Sequence, residues 1–149
     1  MKFQRDAYSC GVFAILNGAE ALGVHLTERA VRQHTGTTKD GTTQHGVMNA
    51  LERLGFVGTA FTETNKDAAY DRVLTAVREG KTVILNVEEE QHWVVAIGAC
   101  GRRVVTFDSY NSKVCKAAGG TEAWDTRSLR KWWTKQVDGK YYGIVMERT

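Results

Sequence analysis

Residues Ser9 to Gly23 read SCGVFAILNGAEALG, which is apolar on nearly every side of a helix. Val12, Phe13, Ile15, Leu16, Ala19 and Leu22 leave no polar face broad enough to meet solvent. Such a helix must be enclosed by other elements, so the fold has to be assembled around it. Asp6 or Ser9 is placed to cap its start, and Gly23 supplies a stop. Cys10 therefore falls at or just inside the first turn of a buried helix.

The remaining elements divide by period. Thr27 caps a short helix running to about His34 and ended by Gly36. Val47, Ala50, Leu51 and Leu54 recur at helical spacing up to Gly55. A fourth helix covers roughly Lys66 to Glu79, with Ala69, Val73, Ala76 and Val77 inward and Gly80 at its end. The pattern then turns to strands: Lys81 to Val87, Trp93 to Ile97 and Arg103 to Phe107 are rich in β-branched residues. An amphipathic helix from about Thr126 to Lys135 precedes a last strand from Tyr141 to Glu147. Helices first and antiparallel strands second predict an α+β domain, with the cysteine-bearing helix packed on the sheet. With no repeat or linker, residues 1–149 are expected to form one domain.

Bulk properties exclude several functions. A net charge of +3 on 149 residues makes no case for a nucleic-acid partner. No run of 18 apolar residues predicts a membrane span, and the first residues, Met-Lys-Phe-Gln-Arg-Asp, lack the apolar core of a secretory signal. Three cysteines (10, 100 and 115) without paired spacing suit a reducing compartment, so a cytoplasmic location is expected. The four histidines show no H-x3-H pair, and neither a zinc site nor any other cofactor is expected.

Chemistry gathers around Cys10. First-turn N–H groups and the helix dipole favour a thiolate there and can receive an oxyanion formed beside the sulfur. Gly11 leaves room where a substrate carbonyl would approach, and Gln4 offers a second amide donor. The competing reading is a small buried hydrophobe, the usual state of a free cysteine. A hairpin favours the reactive reading. A three-residue turn, Ala99-Cys100-Gly101, centres the pairing on Cys100 and sets His92 directly opposite Asp108 on one face. A carboxylate there would orient the imidazole, and nucleophile, base and orienter would be complete.

Residues 4–11 (QRDAYSCG), 36–43 (GTTKDGTT) and 92–98 (HWVVAIG) together resemble the bacteriocin-processing, double-glycine peptidase family of the papain-like clan. The rhythm of Leu26 to Phe56 and the tail from Leu129 to Glu147 follow that family as well, so the resemblance spans nearly the whole chain. It implies a papain-like cysteine peptidase fold. Cys10 would be the nucleophile, His92 the base, Asp108 the orienting residue, and Gln4 with the Cys10 N–H the oxyanion hole. The implied substrate is a peptide or protein cut after Gly-Gly or other small residues; a monomer is expected. Related domains are often fused to exporters. Asp108-Ser109 stands where Asp-Pro is usual, and Ser9 where an acidic residue is common. An acyltransferase on the same scaffold, or a binding module without catalysis, are the alternatives.

Other signals carry less. Gly36 to Thr43 lacks the Lys that a phosphate-binding P-loop places after its second Gly. Arg127, Arg130, Lys131 and Lys135 beside Trp132 and Trp133 fit an amphipathic helix with core tryptophans. Glu88 to Glu90 are expected to form a solvated acidic turn near the cleft mouth, where they would bear on substrate choice. Cys115, between Lys113 and Lys116, is the rival nucleophile, and Asn111 the rival orienter.

Overall fold

A computed structural model describes residues 1–87, 92–109, 121–124, 133 and 139–149, with the backbone alone at 121–124. The elements are α1 (Cys10–Ala21), α2 (Glu28–Thr35), α3 (Gln44–Arg53), β1 (Phe56–Glu63), α4 (Lys66–Arg78), β2 (Thr82–Val87), β3 (His92–Cys100), β4 (Arg103–Phe107), β5 (Thr121–Trp124) and β6 (Tyr141–Arg148). The six strands form one antiparallel sheet in the order β1-β6-β2-β3-β4-β5. The class is α+β. The helix expected over 126–135 lies outside the described residues, except for Trp133.

Helices cover both faces of the sheet. On one face α1 packs through Val12, Ile15, Leu16 and Ala19 against Ile84, Trp93, Val95 and Ile144, with Val31 of α2 and Val47, Ala50 and Leu51 of α3 in the same core. On the other, Tyr70, Val73, Leu74 and Val77 of α4 meet Val83, Leu85, Val94 and Val104, joined by Trp133. This double cover explains why all six residues of β2 are buried, without the alternation of a half-exposed strand. It also explains α1, whose ten residues from Cys10 to Ala19 are all buried.

Two strands escape the sequence pattern. β1 follows α3 directly and pairs with the C-terminal β6, so strands and helices are not strictly segregated along the chain. Only Phe56 and Phe61 of β1 are buried, because it is an edge strand. With Gly58 and Ala60 among its residues, it carries little periodicity to read. β5 pairs with β4 at the opposite edge.

The β3–β4 hairpin departs from the expected register. Its turn holds two residues, Gly101 and Arg102, with Cys100 paired to Arg103 and Gly101 taking the positive φ (62°) that the turn demands. Further out Ala99 faces Val104 and Gly98 faces Val105, but Ala96 faces Thr106 and Val95 faces Phe107. Ile97 is thus an extra residue, a β-bulge.

Candidate active site

The bulge decides whether His92 and Asp108 can meet. Had the turn's pairing continued unbroken, residues 92–96 would be slipped by one, and the two side chains would point to opposite faces. Ile97 restores the parity. In the continued register Asp108, just past β4, stands across from Val94, with His92 two residues along on the same face. The expected direct opposition is therefore replaced by a diagonal contact, in which His92 Nε2 lies 2.8 Å from Asp108 Oδ1.

Cys10 opens α1, and its side chain is buried. Neither expected cap is used. Ser9 makes no side-chain cap bond, and Asp6 instead accepts from the Tyr8 N–H (3.2 Å) and pairs with Arg32 of α2 (3.1 Å). By contrast, Thr27, Thr43 and Asn65 each cap their helices through side-chain oxygens. The first backbone bond of α1 runs from the Phe13 N–H to the Ser9 carbonyl, so the N–H groups of Cys10 to Val12 precede the helical ladder.

The Cys10 sulfur hydrogen-bonds the His92 ring. Burial disfavours charge on His92, yet the hydrogen bonds to Asp108 and Cys10 and their negative charges outweigh it, and its pKa rises to about 10. The imidazole is thus protonated at neutral pH. Asp6 is shifted the other way. Burial pushes its carboxyl up, but its hydrogen bonds and the Arg32 guanidinium prevail and hold it below the usual value.

Gln4 is buried in the segment that precedes α1. Its Nε2 donates to the Asp6 carbonyl (2.7 Å), its Oε1 accepts from Ser109 Oγ (2.7 Å), and its backbone N–H donates to the Ser109 carbonyl (2.9 Å). Asn17, buried on the otherwise apolar α1, fixes the same segment. Its carboxamide accepts from the Lys2 N–H (2.8 Å) and donates to the Lys2 carbonyl (2.9 Å). Asn17 went unremarked in the sequence, and Ser109 was noted only as standing where a proline is usual, with no role given to it. A polar residue at an inward helical position was the available signal for the first, and the serine at a position usually held by proline was the signal for the second.

Gly11 has a different neighbour from the one expected. A Cβ there would lie 2.7 Å from Thr42 Cβ, so the space is taken by the α2–α3 loop rather than kept for a substrate. Thr42 also accepts a hydrogen bond from the Trp93 indole (2.9 Å), which ties this loop to the residue after His92. The loop, Gly36 to Thr43, closes on itself through a Thr38–Gly41 bridge. Beside it lies a cavity of about 680 Å³ lined by Thr38, Asp40, Gln44, His45 and Asn86 among others.

Gln4, Cys10, His92 and Asp108 are thus linked through three chain segments. A sulfur beside an imidazole that a carboxylate holds is an arrangement suited to nucleophilic acyl transfer. Cys100 is exposed. Glu88 to Glu90, Asn111, Cys115 and the basic residues 127–135 lie outside the described residues. Trp133 is buried and donates to the Tyr142 carbonyl (3.1 Å). Among the described residues, no group of three or more His, Cys, Asp or Glu is placed to hold a metal ion, and no helix is long and apolar enough to cross a membrane.

The model of the peptidase C39 family matches residues 1–137. The lactococcin-G-processing and transport ATP-binding protein LagD of Lactococcus lactis subsp. lactis is 29% identical over 119 residues. That match covers 76% of this chain and 16% of LagD, so the chain spans under a fifth of that relative's length. The peptidase domain of Streptococcus ComA superposes with a TM-score of 0.73 at 17% identity, covering 99% of this chain and 97% of that one. A double glycine motif protease from an AMS/PCAT transporter, in complex with its leader peptide, gives 0.72 at 16% identity, covering 99% and 89%.

Proposed function

The chain belongs to the peptidase C39 family, and from that premise we propose that residues 1–149 act as one peptidase domain whose nucleophile is Cys10. His92 is its acid and base, Asp108 orients His92, and Gln4 Nε2 with the Cys10 N–H forms the oxyanion hole. The observation that carries this reading is the linked contact from Asp108 through His92 to Cys10.

The steps follow from where the proton rests. With His92 protonated beside a negative sulfur, Cys10 attacks the scissile carbonyl carbon, and the carbonyl π electrons move onto its oxygen. The Cys10 N–H and the second Nε2 proton of Gln4 receive that oxyanion. As the C–N bond breaks, His92 gives its proton to the leaving amine, and a thioester remains on Cys10. Neutral His92 then draws a proton from water, which attacks the thioester. The second oxyanion collapses and expels the Cys10 thiolate with release of the acid, while the proton taken from water stays on His92 and restores the starting pair. Asp108 keeps the ring in one orientation and stabilises its cationic form throughout.

The substrate we propose is a peptide cut after small residues such as Gly-Gly, the motif named for the AMS/PCAT relative. Peptides holding Gly-Gly, Ala-Ala or Leu-Leu before one common sequence, incubated with the protein and weighed by mass spectrometry, test this. Cleavage after Gly-Gly should dominate, and Cys10→Ala should abolish it. Undiminished cleavage by Cys10→Ala would remove Cys10 from the reaction.

A further inference from the structure

A carboxamide has two ends of nearly one shape, and only the nitrogen end can donate to an oxyanion. A glutamine in that role must therefore be held the right way round. We propose that Ser109 is the positioning residue that does this for Gln4, an inference resting on the assignment of Gln4 to the oxyanion hole.

Ser109 grips Gln4 at two points. The Ser109 carbonyl accepts from the Gln4 backbone N–H (2.9 Å), which fixes where the side chain starts. The Ser109 hydroxyl donates to Oε1 (2.7 Å), which fixes the oxygen end. The nitrogen end faces the Asp6 carbonyl (2.7 Å), a group that can only accept. A flip would set two carbonyl oxygens against each other, so the network has one consistent direction. Gln4 and Ser109 are 4% and 2% exposed, which leaves water little access to replace the hydroxyl. Without it, Oε1 becomes a buried acceptor short of its donor, and the carboxamide is free to tilt toward another one.

Position in the chain gives this clamp its meaning. Ser109 directly follows Asp108, and Gln4 lies six residues before Cys10. One serine thus ties the end of β4, which carries the His92 partner, to the segment that leads into the nucleophile. It touches no reacting atom and acts through Gln4.

The test separates Gln4 from the thiol. Iodoacetamide alkylates a thiolate by displacing iodide and forms no oxyanion, whereas acetyl-Gly-glycinal adds to Cys10 and generates one. Ser109→Ala should weaken aldehyde binding about tenfold, the size of one lost buried hydrogen bond. It should lower kcat on acetyl-Gly-Gly-aminomethylcoumarin by a similar factor, with KM within about twofold. The alkylation rate of Cys10 and its pH profile should stay at wild-type values. Ser109→Thr, which keeps the hydroxyl, should recover most of the loss. In a Gln4→Ala background, Ser109→Ala should add nothing. In the free protein, the Gln4 side-chain amide protons should exchange with solvent about tenfold faster in Ser109→Ala, a readout needing no catalysis. Unchanged exchange and aldehyde affinity would overturn the proposal. So would an added loss in the Gln4→Ala background, or a shifted alkylation profile, which would move the role to Asp108. A wild-type protein that ignores the aldehyde would instead defeat the peptidase reading, while the exchange rates still decide the clamp.

Discussion

A single methyl group at residue 11 probes how tightly the nucleophile's segment is locked. A Cβ on Gly11 would sit 2.7 Å from both Cβ and Oγ1 of Thr42 and 3.1 Å from Trp93 Cδ1. Carbon atoms in contact lie about 3.5–4.0 Å apart, so about 1 Å of overlap has to be relieved. Thr42 is not free to swing away. Its Oγ1 is 2.6 Å from Thr37 Oγ1, and its carbonyl holds the Trp93 indole at 2.9 Å. Overpacking of this kind costs about 1–3 kcal/mol. The helix preference of Ala over Gly, at most about 1 kcal/mol, offsets part of that. A net loss of about 1–2 kcal/mol follows, which lowers Tm by about 2–8 °C in a chain of this size. Calorimetry of Gly11→Ala reads it directly. Peptide cleavage should fall further than stability, because the displaced atoms adjoin the neighbours of both Cys10 and His92. Gly11→Ala in a Thr42→Gly background should cost much less, since the obstructing Cβ is gone. If Gly11→Ala melts like wild type, or if the two changes simply add, the close approach does not constrain the site.

Leu16, buried where α1 meets the sheet, separates packing from chemistry. Leu16→Ala should lose about 2–5 kcal/mol in urea unfolding, whereas Cys10→Ala should lose far less, and equal losses would mark Cys10 as a packing residue. The His92 proton gives a pH prediction. The folded protein keeps it up to a pKa of about 10, while an unfolded chain releases it near about 6.5. Its contribution to stability is therefore complete below the unfolded value and lost as pH rises toward the folded one. Urea midpoints of the wild-type protein should therefore drop between pH 7 and 9. The drop should be flatter in His92→Asn. Parallel slopes would show that His92 is not held protonated by its partner.

Much of this molecule is legible along the chain because its signals are local. The span of α1 and its burial follow from an apolar run, and α2 to α4 from helical spacing between caps and glycine stops. Gln4, Cys10, His92 and Asp108 were each readable as candidates for similar reasons: a helix start, the beginning of one strand and the end of the next. β1 was not legible, since this edge strand buries only two of its eight residues and needs little pattern. Its pairing with β6, about eighty residues on, leaves no local mark.

The hairpin marks the boundary between the two kinds of information. Sequence alone determined that His92 and Asp108 begin and end neighbouring strands, because β-branched runs and a glycine turn are properties of adjacent residues. Which side chains then meet depends on strand register, and register is a relation between segments. One bulged residue, Ile97, inverts the facing of everything beyond it. The Ser109 grip on Gln4 spans 105 positions and the Trp93 hold on Thr42 spans 51. Tertiary structure alone decided these contacts, because such groups become neighbours only when the sheet and its covering helices bring their backbones together.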